Sequence, residues 1–218
     1  MKVELVSITR PEINGVNSAD ELIAYCARVS NPSNQLNSAT APGLIKYLIK
    51  NKHWSPFEMA SMCVSIETSR AIAAQILRHR SFSFQEFSQR YAEASEYEDV
   101  EIRCRAETNR QSSEEKLEDT ELELEIREHM DHSFQLYNKM LDCGVATECA
   151  RFVLPLDTKT KLYMNGTLRS WIHYLDLRLD EHTQKEHRLI AEQVLKIVKK
   201  RFPTIYKACF EEKYGEKD

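Results

Sequence analysis

Three arginines, a histidine and a glutamate lie within fourteen residues, RHRSFSFQEFSQRY, at positions 78–91. Four aromatic residues are interleaved with them, although the whole chain has a formal net charge of -4. Guanidinium groups bind phosphate through paired hydrogen bonds and stack on planar rings. Positive charge beside an apolar wall is costly unless an anionic ligand accompanies it. This segment therefore predicts a binding site for a phosphorylated, planar molecule such as a nucleotide.

A helix end followed by an extended loop would bring further polar side chains to the same cleft. Gln75 lies one helical turn before Arg78. In an extended chain, Glu86, Ser88 and Arg90 point to the same side. The competing interpretation is that the aromatic residues form ordinary core and that the arginines cap a helix end through its carbonyls. We prefer the core interpretation for the phenylalanines and the ligand-binding interpretation for the polar residues.

A second group of polar residues lies in the stretch LRSWIHYLDLRLDEHTQKEH, at positions 168–187. Arg169, His173 and Asp176 have the spacing i, i+4 and i+7, and therefore share one face of a helix. Arg178 lies near the end of this helix and points away from its apolar face. That apolar face carries Trp171, Leu175 and Leu179. The histidine and the two arginines are therefore candidates for contact with a ligand.

Arg151 is the single basic residue in the mostly apolar stretch ECARFVLPLD. A guanidinium in such surroundings needs an anionic partner. The sequence leaves two partners open, a bound ligand or one of the many carboxylates of the chain.

The composition excludes several classes of protein. Hydrophobic residues at 42% and charged residues at 29% are typical of a globular domain. No apolar run approaches the roughly 20 residues that span a bilayer. The N-terminal residues lack the features of a signal peptide, so we expect a cytoplasmic protein.

The cysteines and glycines exclude two common kinds of site. Six cysteines are scattered without a C-x-x-C pair, which favours small buried residues over disulfides, and no metal site is expected. Five glycines form neither G-x-G-x-x-G nor a P-loop. Phosphate must therefore be bound by side chains.

The hydrophobic periodicity predicts an α+β fold in a single domain, residues 1–218, with a small mixed or antiparallel sheet and several packed helices. The acidic segment 107–125 is interpreted as a solvated helix face or a mobile loop, next to a short strand at 100–106. The other predicted elements are strands at 1–9, from 62 and at 158–165, and helices at 18–28, 42–51, 69–80, 130–144, 146–154, 167–178 and 183–201.

The segment 78–91 resembles the signature of flavin-dependent thymidylate synthases, which is Arg-His-Arg, seven residues and then Ser. Here these residues are Arg78-His79-Arg80 and Ser88. The resemblance continues through HWSPFE, ARFVLPL and LRSWIHYLDLR, and through His182, so that it covers most of the chain. Gln85 and Thr167 depart from residues that are common in the family.

The resemblance implies a homotetramer of α+β subunits that binds FAD, with each active site built by several subunits. The family makes dTMP from dUMP, with methylenetetrahydrofolate as the carbon donor and NADPH as the usual reductant of the flavin. Reduced flavin supplies the hydride, and no cysteine attacks the uracil ring. Neither nucleic acid nor a membrane is implied as a partner.

The resemblance also implies roles for individual residues. Arg178 is the catalytic candidate, because a fixed cation near the uracil would favour loss of the N3 proton. His53 and Tyr91 would lie near the folate or nicotinamide. The residues implied for dUMP are Gln75, Arg78, Glu86, Phe87, Ser88, Gln89, Arg90, Arg151 and Arg178. Those implied for FAD are Ser55, Arg78, His79, Arg80, Glu86, Thr167, Leu168, Arg169 and His173.

Two hypotheses from other classes compete with the flavin enzyme. Alternating arginines and aromatic residues also suit a module that binds single-stranded nucleic acid, although the net negative charge argues against it. A phosphate-sensing scaffold would bind dUMP without turnover.

Overall fold

The computed structural model describes residues 1–107, 109 and 113–215, which form a mixed α/β domain. The strands are β1 (Lys2–Ile8), β2 (Ser61–Ser69), β3 (Ser83–Glu86), β4 (Arg103–Arg105), β5 (Ser113–Lys116) and β6 (Lys159–Thr167). The helices are α1 (Ala19–Ala27), α2 (Ala41–Lys50), α3 (Arg70–Ile76), α4 (Thr120–Asp142), α5 (Thr147–Ala150), α6 (Leu168–Arg178), α7 (Lys185–Arg201), α8 (Pro203–Cys209) and α9 (Glu211–Tyr214).

The main sheet has four strands in the order β1-β2-β6-β3, and every pairing in it is antiparallel. Strands β2 and β6 pair along their whole length, from Ser61 opposite Thr167 to Ser69 opposite Lys159. Alternate residues of both strands are fully buried, as the period of two requires. Strands β4 and β5 form a separate hairpin. The predicted α+β class and the antiparallel sheet are therefore confirmed.

Helices α6 and α7 cover the buried face of the sheet. Trp171 of α6 is completely buried, and its Nε1–H donates to the Met62 carbonyl of β2 at 2.9 Å. Helix α6 begins at Thr167, whose hydroxyl accepts a hydrogen bond from the backbone N–H of Ser170. Since Thr167 is also the last residue of β6, the strand fixes the position at which α6 starts.

Helix α7 buries residues at intervals of three and four, as an amphipathic helix does. Its buried residues are His187, Ile190, Ala191, Val194 and Val198. Leu189 lies outside this register and is exposed, although it is apolar.

The predicted start of α1 is confirmed by its capping contacts. The Ser18 hydroxyl accepts from the Glu21 N–H at 3.1 Å. In a capping box the Glu21 carboxylate would accept from the N–H of Ser18 itself. Here it accepts from the N–H of Asn17, the residue before Ser18.

Helix α3 is shorter than the predicted helix at 69–80. It ends at Ile76, and the next residues form tight turns in which Arg78 N–H donates to the Gln75 carbonyl and His79 N–H to the Ile76 carbonyl. The chain then turns into β3. Arg78 and His79 therefore lie beyond the helix and not in its last turn.

The predicted extended conformation at 81–91 is correct only for β3, Ser83–Glu86, because residues 81 and 82 still belong to the preceding turn. Phe87 N–H still donates to the Lys161 carbonyl, but the Ser88 carbonyl then accepts from both Tyr91 and Ala92 N–H groups in a turn. The side chains stop alternating between the two sides of the strand where the hydrogen bonds between β3 and β6 end. Glu86, Ser88 and Arg90 therefore do not form one extended row.

The acidic segment contains the exposed strand β5 and the first turns of α4, so a solvated helix face describes its end better than a mobile loop does. Helix α4 begins at Asp119, whose carboxylate accepts from the Leu122 N–H at 3.0 Å, and it runs to Asp142. Glu121 and Glu123 lie in its first turn, where negative charge is favourable. Residues 108 and 110–112 of the segment lie outside the described residues.

Two further predictions need correction. Cys143 and Cys149 are exposed, whereas burial was expected for the cysteines. The predicted helices end at residue 201, but α8 and α9 follow there. Over the described parts of the chain, no helix is both long and apolar enough to cross a membrane.

Gly166 allows the Phe82 ring to pack directly on β6. A Cβ atom at position 166 would overlap this ring, whereas a Cβ at Gly43 of α2 would have no atom within 4 Å. We expect Gly166→Ala to lower the free energy of unfolding by about 1–3 kcal/mol, because the packed core must shift. Gly43→Ala is the matched control and should be neutral or slightly stabilising. Urea denaturation of both variants measures the difference, and equal stabilities would contradict this account.

Candidate active site

A cavity of about 550 Å³ lies where the ends of α3 and α6 meet the loop before α7. Gln75 and Arg78 line it from the end of α3, and Arg178 lines it from the last turn of α6. The remaining lining residues are Asp176, Leu177, Asp180, His182, Thr183 and Gln184. The fold thus brings Arg178 to Gln75 and Arg78, which are about 100 positions earlier in the sequence, and all three were predicted for nucleotide binding.

Arg178 is held in this cavity by a neutral histidine. Its Nε–H donates to His79 Nε2 at 2.9 Å. A guanidinium can only donate, so His79 must be unprotonated at Nε2 and carry its proton on Nδ1. Burial, and then the positive charges of Arg178 and Arg78, lower the pKa of His79 to about 4. His79 is therefore neutral at physiological pH.

Two buried residues that the sequence analysis did not select lie behind this contact. The Tyr174 hydroxyl is 3.1 Å from His187 Nε2, and His187 Nδ1 is 3.4 Å from Gln75 Oε1. The His79 ring lies edge-on to Tyr174, with centroids 4.9 Å apart. Burial lowers the pKa of His187 to about 3 and raises the pKa of Tyr174. Tyr174 could have been found from its spacing, because it lies one helical turn before Arg178.

Arg78 and Arg178 line the cavity together with Asp176 and Asp180, but the arginines are not paired with these carboxylates, and Asp180 bonds to His182 at 2.8 Å. Within the described residues neither Arg78 nor Arg178 forms an ion pair, and Asp176, the nearest acidic residue on α6, bonds instead to Lys213 at 3.1 Å. Burial lowers the pKa of Arg178, although the group remains a cation at neutral pH. The side chains of Arg78 and Arg80 are exposed. This charge distribution favours an anionic ligand.

A second group of predicted residues lies elsewhere on the surface of the same chain. Arg90 Nε is 3.3 Å from a Glu148 carboxylate oxygen, and Arg151 Nε–H donates to the Glu148 carbonyl at 3.2 Å. Ser88 is exposed in the turn before Arg90. Neither arginine lines the cavity that contains Arg178. The Glu148 carboxylate is thus paired with Arg90, whereas Arg151 bonds only to the Glu148 backbone, and among the described residues no carboxylate pairs with Arg151.

The segment between these two groups holds Glu86 through internal contacts. Its carboxylate accepts from Arg70 at 2.7 Å and from the Thr160 hydroxyl at 2.9 Å. Phe87 is partly exposed, whereas Gln89 is buried and its amide nitrogen has no partner among the described residues. Arg70 was missed because its partner lies on a different element. Glu86 therefore acts in one chain as a link between α3, β3 and β6.

The third group surrounds the first turns of α6. The His173 ring lies edge-on to Trp54 at 4.6 Å, and Arg169 forms an ion pair with Glu58. Burial and the charge of Arg169 lower the pKa of His173. Three further predicted residues lie nearby: exposed His53 and Ser55, and Leu168, whose side chain is buried and leaves only its backbone for contact.

Comparison with known proteins identifies the family of this chain. The sequence model of the Thy1 family, described as thymidylate synthase complementing protein, matches residues 13–204. A probable flavin-dependent thymidylate synthase of Paramecium bursaria Chlorella virus 1 is 51% identical over 212 residues, which cover 95% of this chain and 98% of that protein. The flavin-dependent thymidylate synthase of Synechocystis is 48% identical over 94% of this chain and 97% of its own. The chain belongs to the flavin-dependent thymidylate synthases.

A solved structure extends the similarity to the fold. The UMP/dUMP methylase PolB from Streptomyces cacaoi, bound with 5-Br dUMP, superposes with a TM-score of 0.82 and 28% identity. The alignment covers 95% of this chain and 93% of PolB. The family resemblance predicted from the sequence is therefore confirmed. The residues that the resemblance implied for the active site divide in one chain into the three groups described above.

Proposed function

We propose that this chain catalyses the reductive methylation of dUMP to dTMP, with methylenetetrahydrofolate as carbon donor and NADPH-reduced FAD as reductant. The observation that carries this proposal is the cavity in which Gln75, Arg78 and Arg178 converge without an ion-paired carboxylate. Two guanidinium groups and an amide are suited to the oxygens of a nucleotide. Membership of the family supplies the reaction.

The residues of the first and third groups fit FAD by the chemistry of their side chains. Arg80, Arg169 and His173 provide donors for pyrophosphate oxygens, and Arg80 has no carboxylate partner among the residues described. The Nδ1–H of His79 likewise has no hydrogen-bond partner among the described residues and is available as a donor. When bound, FAD supplies the hydride that reduces the transferred carbon. Ser55, Thr167 and the Leu168 backbone complete the proposed contacts, with Arg78 and Glu86 shared with the nucleotide.

Arg178 would act as an electrostatic catalyst. A guanidinium whose direction is fixed by His79 can stabilise negative charge on the uracil as the N3 proton is lost and the ring reacts through C5. His79 is a poor base for this proton, because its Nε2 lone pair already accepts from Arg178 and its pKa is about 4. His79 therefore orients Arg178.

Ser88 is assigned to the nucleotide phosphate and not to nucleophilic catalysis. Within the described residues it has no hydrogen bond from its hydroxyl to a histidine or carboxylate that could act as a base, which nucleophilic catalysis requires. Arg90 and Arg151 lie in the same group and would bind the same anion, in exchange for their contacts with Glu148. Phe87 and Gln89 would contribute backbone groups.

We infer that the complete site is shared between copies of the chain in a homotetramer. The cavity group and the Arg90 group are separate in one chain, although both are assigned to dUMP. Tyr91 and Phe152 near the Arg90 group are 93% and 80% exposed, which is unusual for aromatic residues and suits contact with a second copy. His53 and Tyr91 would then lie near the folate or nicotinamide. We further propose that residues 1–218 act as one domain in the cytoplasm, without nucleic acid or membrane partners.

The Arg178→Ala variant tests the proposed reaction. Turnover of dUMP should fall by about 10²–10³, because a preorganised electrostatic group is lost, while most of the bound flavin remains. Arg127→Ala, which removes an exposed arginine of α4, is the matched control. Formation of dTMP and the visible flavin spectrum provide the two measurements. Near-normal turnover in Arg178→Ala would remove this residue from catalysis.

Mixing two defective variants tests the shared site. The Arg90→Ala and Arg178→Ala variants should each form dTMP slowly at low dUMP concentration. Tetramers that contain subunits of both variants should have up to about a quarter of wild-type activity. Recovery requires that the two arginines of one site come from different chains. The absence of recovery in mixed tetramers, or full activity in a monomer shown by sedimentation, would refute the shared site.

A further inference from the structure

A buried chain of hydrogen bonds leads from α6 through α7 to the wall of the cavity. It consists of the Tyr174 hydroxyl, the His187 imidazole and the Gln75 amide, with separations of 3.1 Å and 3.4 Å. His187 is completely buried and Tyr174 is 1% exposed, so solvent cannot replace the contact between them. Gln75 is the member that reaches the cavity.

The direction of these hydrogen bonds follows from the groups themselves. The only hydrogen bond described for the Tyr174 hydroxyl is with His187, and a buried phenol is best satisfied by donating its proton. His187 Nε2 must then be the acceptor. The neutral ring carries its proton on Nδ1 and donates it to Gln75 Oε1.

This direction determines which end of the Gln75 amide faces the cavity. With Oε1 engaged by His187, the Nε2 amino group points outward, where one of its hydrogens is donated to Gln184 Oε1 at 2.6 Å. Gln184 is an exposed residue of the cavity wall. The Gln184 oxygen therefore shows where an acceptor atom receives a hydrogen bond from Gln75.

We propose that Tyr174 and His187 are positioning residues that lock Gln75 as a hydrogen-bond donor toward an acceptor oxygen of the nucleotide. This inference rests on the proposed function, because it takes dUMP as the ligand of the cavity. A freely rotating amide could present either its oxygen or its amino group. With its amino group fixed toward the cavity, Gln75 favours a ligand that places a carbonyl or phosphate oxygen there and disfavours one that places an amino group there.

The first experiment removes only the hydroxyl at the start of the chain of hydrogen bonds. In Tyr174→Phe, the dissociation constant for dUMP from calorimetry and the KM for dUMP should both rise about three- to tenfold, the effect of one hydrogen bond. The turnover number should change less than about twofold, since Arg178 is retained. Tyr206→Phe removes another buried tyrosine hydroxyl, on α8, and is the matched control. Wild-type dUMP affinity in Tyr174→Phe would overturn the inference.

The second experiment asks whether the two residues act as one unit. His187→Phe should weaken dUMP binding at least as much as Tyr174→Phe, and the double variant should be no worse than His187→Phe alone. Additive losses would show that the residues do not act through a common chain and would overturn the inference. A wild-type protein that neither binds dUMP nor forms dTMP would instead refute the proposed function.

The tautomer of His187 can be measured without any substitution. Nitrogen-15 spectra of histidine-labelled wild-type protein should show a proton on Nδ1 and a bare Nε2 for His187. This measurement decides the inference even if the variants fail to fold. A proton on Nε2 would reverse the direction of the chain of hydrogen bonds and would overturn the inference.

Discussion

The site depends on a cation that is held in place by a neutral imidazole. Arginine side chains in proteins are usually fixed by carboxylates, which also cancel their charge. Here His79 fixes the direction of the Arg178 guanidinium and leaves its charge uncancelled. The arrangement requires that His79 stay neutral, and partial burial beside two guanidinium groups ensures this by lowering its pKa to about 4. The two cations Arg78 and Arg178 repel each other, and the stability of the rest of the fold offsets this repulsion. An anionic ligand between them would reduce it.

The antiparallel sheet supplies the rigidity that this arrangement needs. Strand β6 runs directly into α6 at Thr167, and Trp171 ties the first turns of α6 to β2. The start of α3 is tied to the segment before β6, because Arg70 and Ala71 N–H groups donate to the Thr158 and Leu156 carbonyls. Both helices that line the cavity therefore begin at the sheet. Their ends, with Arg78 and Arg178, are brought together by packing against the completely buried His187 of α7.

The sequence predicted those features that local patterns encode. Alternating residues in β2 and the Ser18 cap of α1 identified their elements correctly, and the spacing of aromatic and arginine residues identified the segment of the site. The bond between Glu86 and Arg70 could not be predicted from the sequence, because the pairing of β3 with β6 determines where Glu86 lies. The end of α3 was missed because Leu77 to Arg80 contain no helix breaker, and the turn is imposed by the strand that follows. His187 was missed because nothing local distinguishes it from an exposed histidine until α7 packs on α6.

The arrangement requires neutral imidazoles at both His79 and His187, and the dependence of stability on pH tests this most directly at His187, which is the more deeply buried of the two. The pKa of His187 is about 3 in the folded chain, against an ordinary value of 6.5, so below pH 6.5 the unfolded chain binds a proton that the folded chain excludes. Stability should therefore fall as the pH is lowered from 7 to 5, by about 1–2 kcal/mol for this fully buried residue. Urea denaturation at pH 7, 6 and 5 should show this loss in the wild type and a smaller loss in His187→Gln. Equal losses in the two proteins, or a wild type that is more stable at pH 5, would contradict the account.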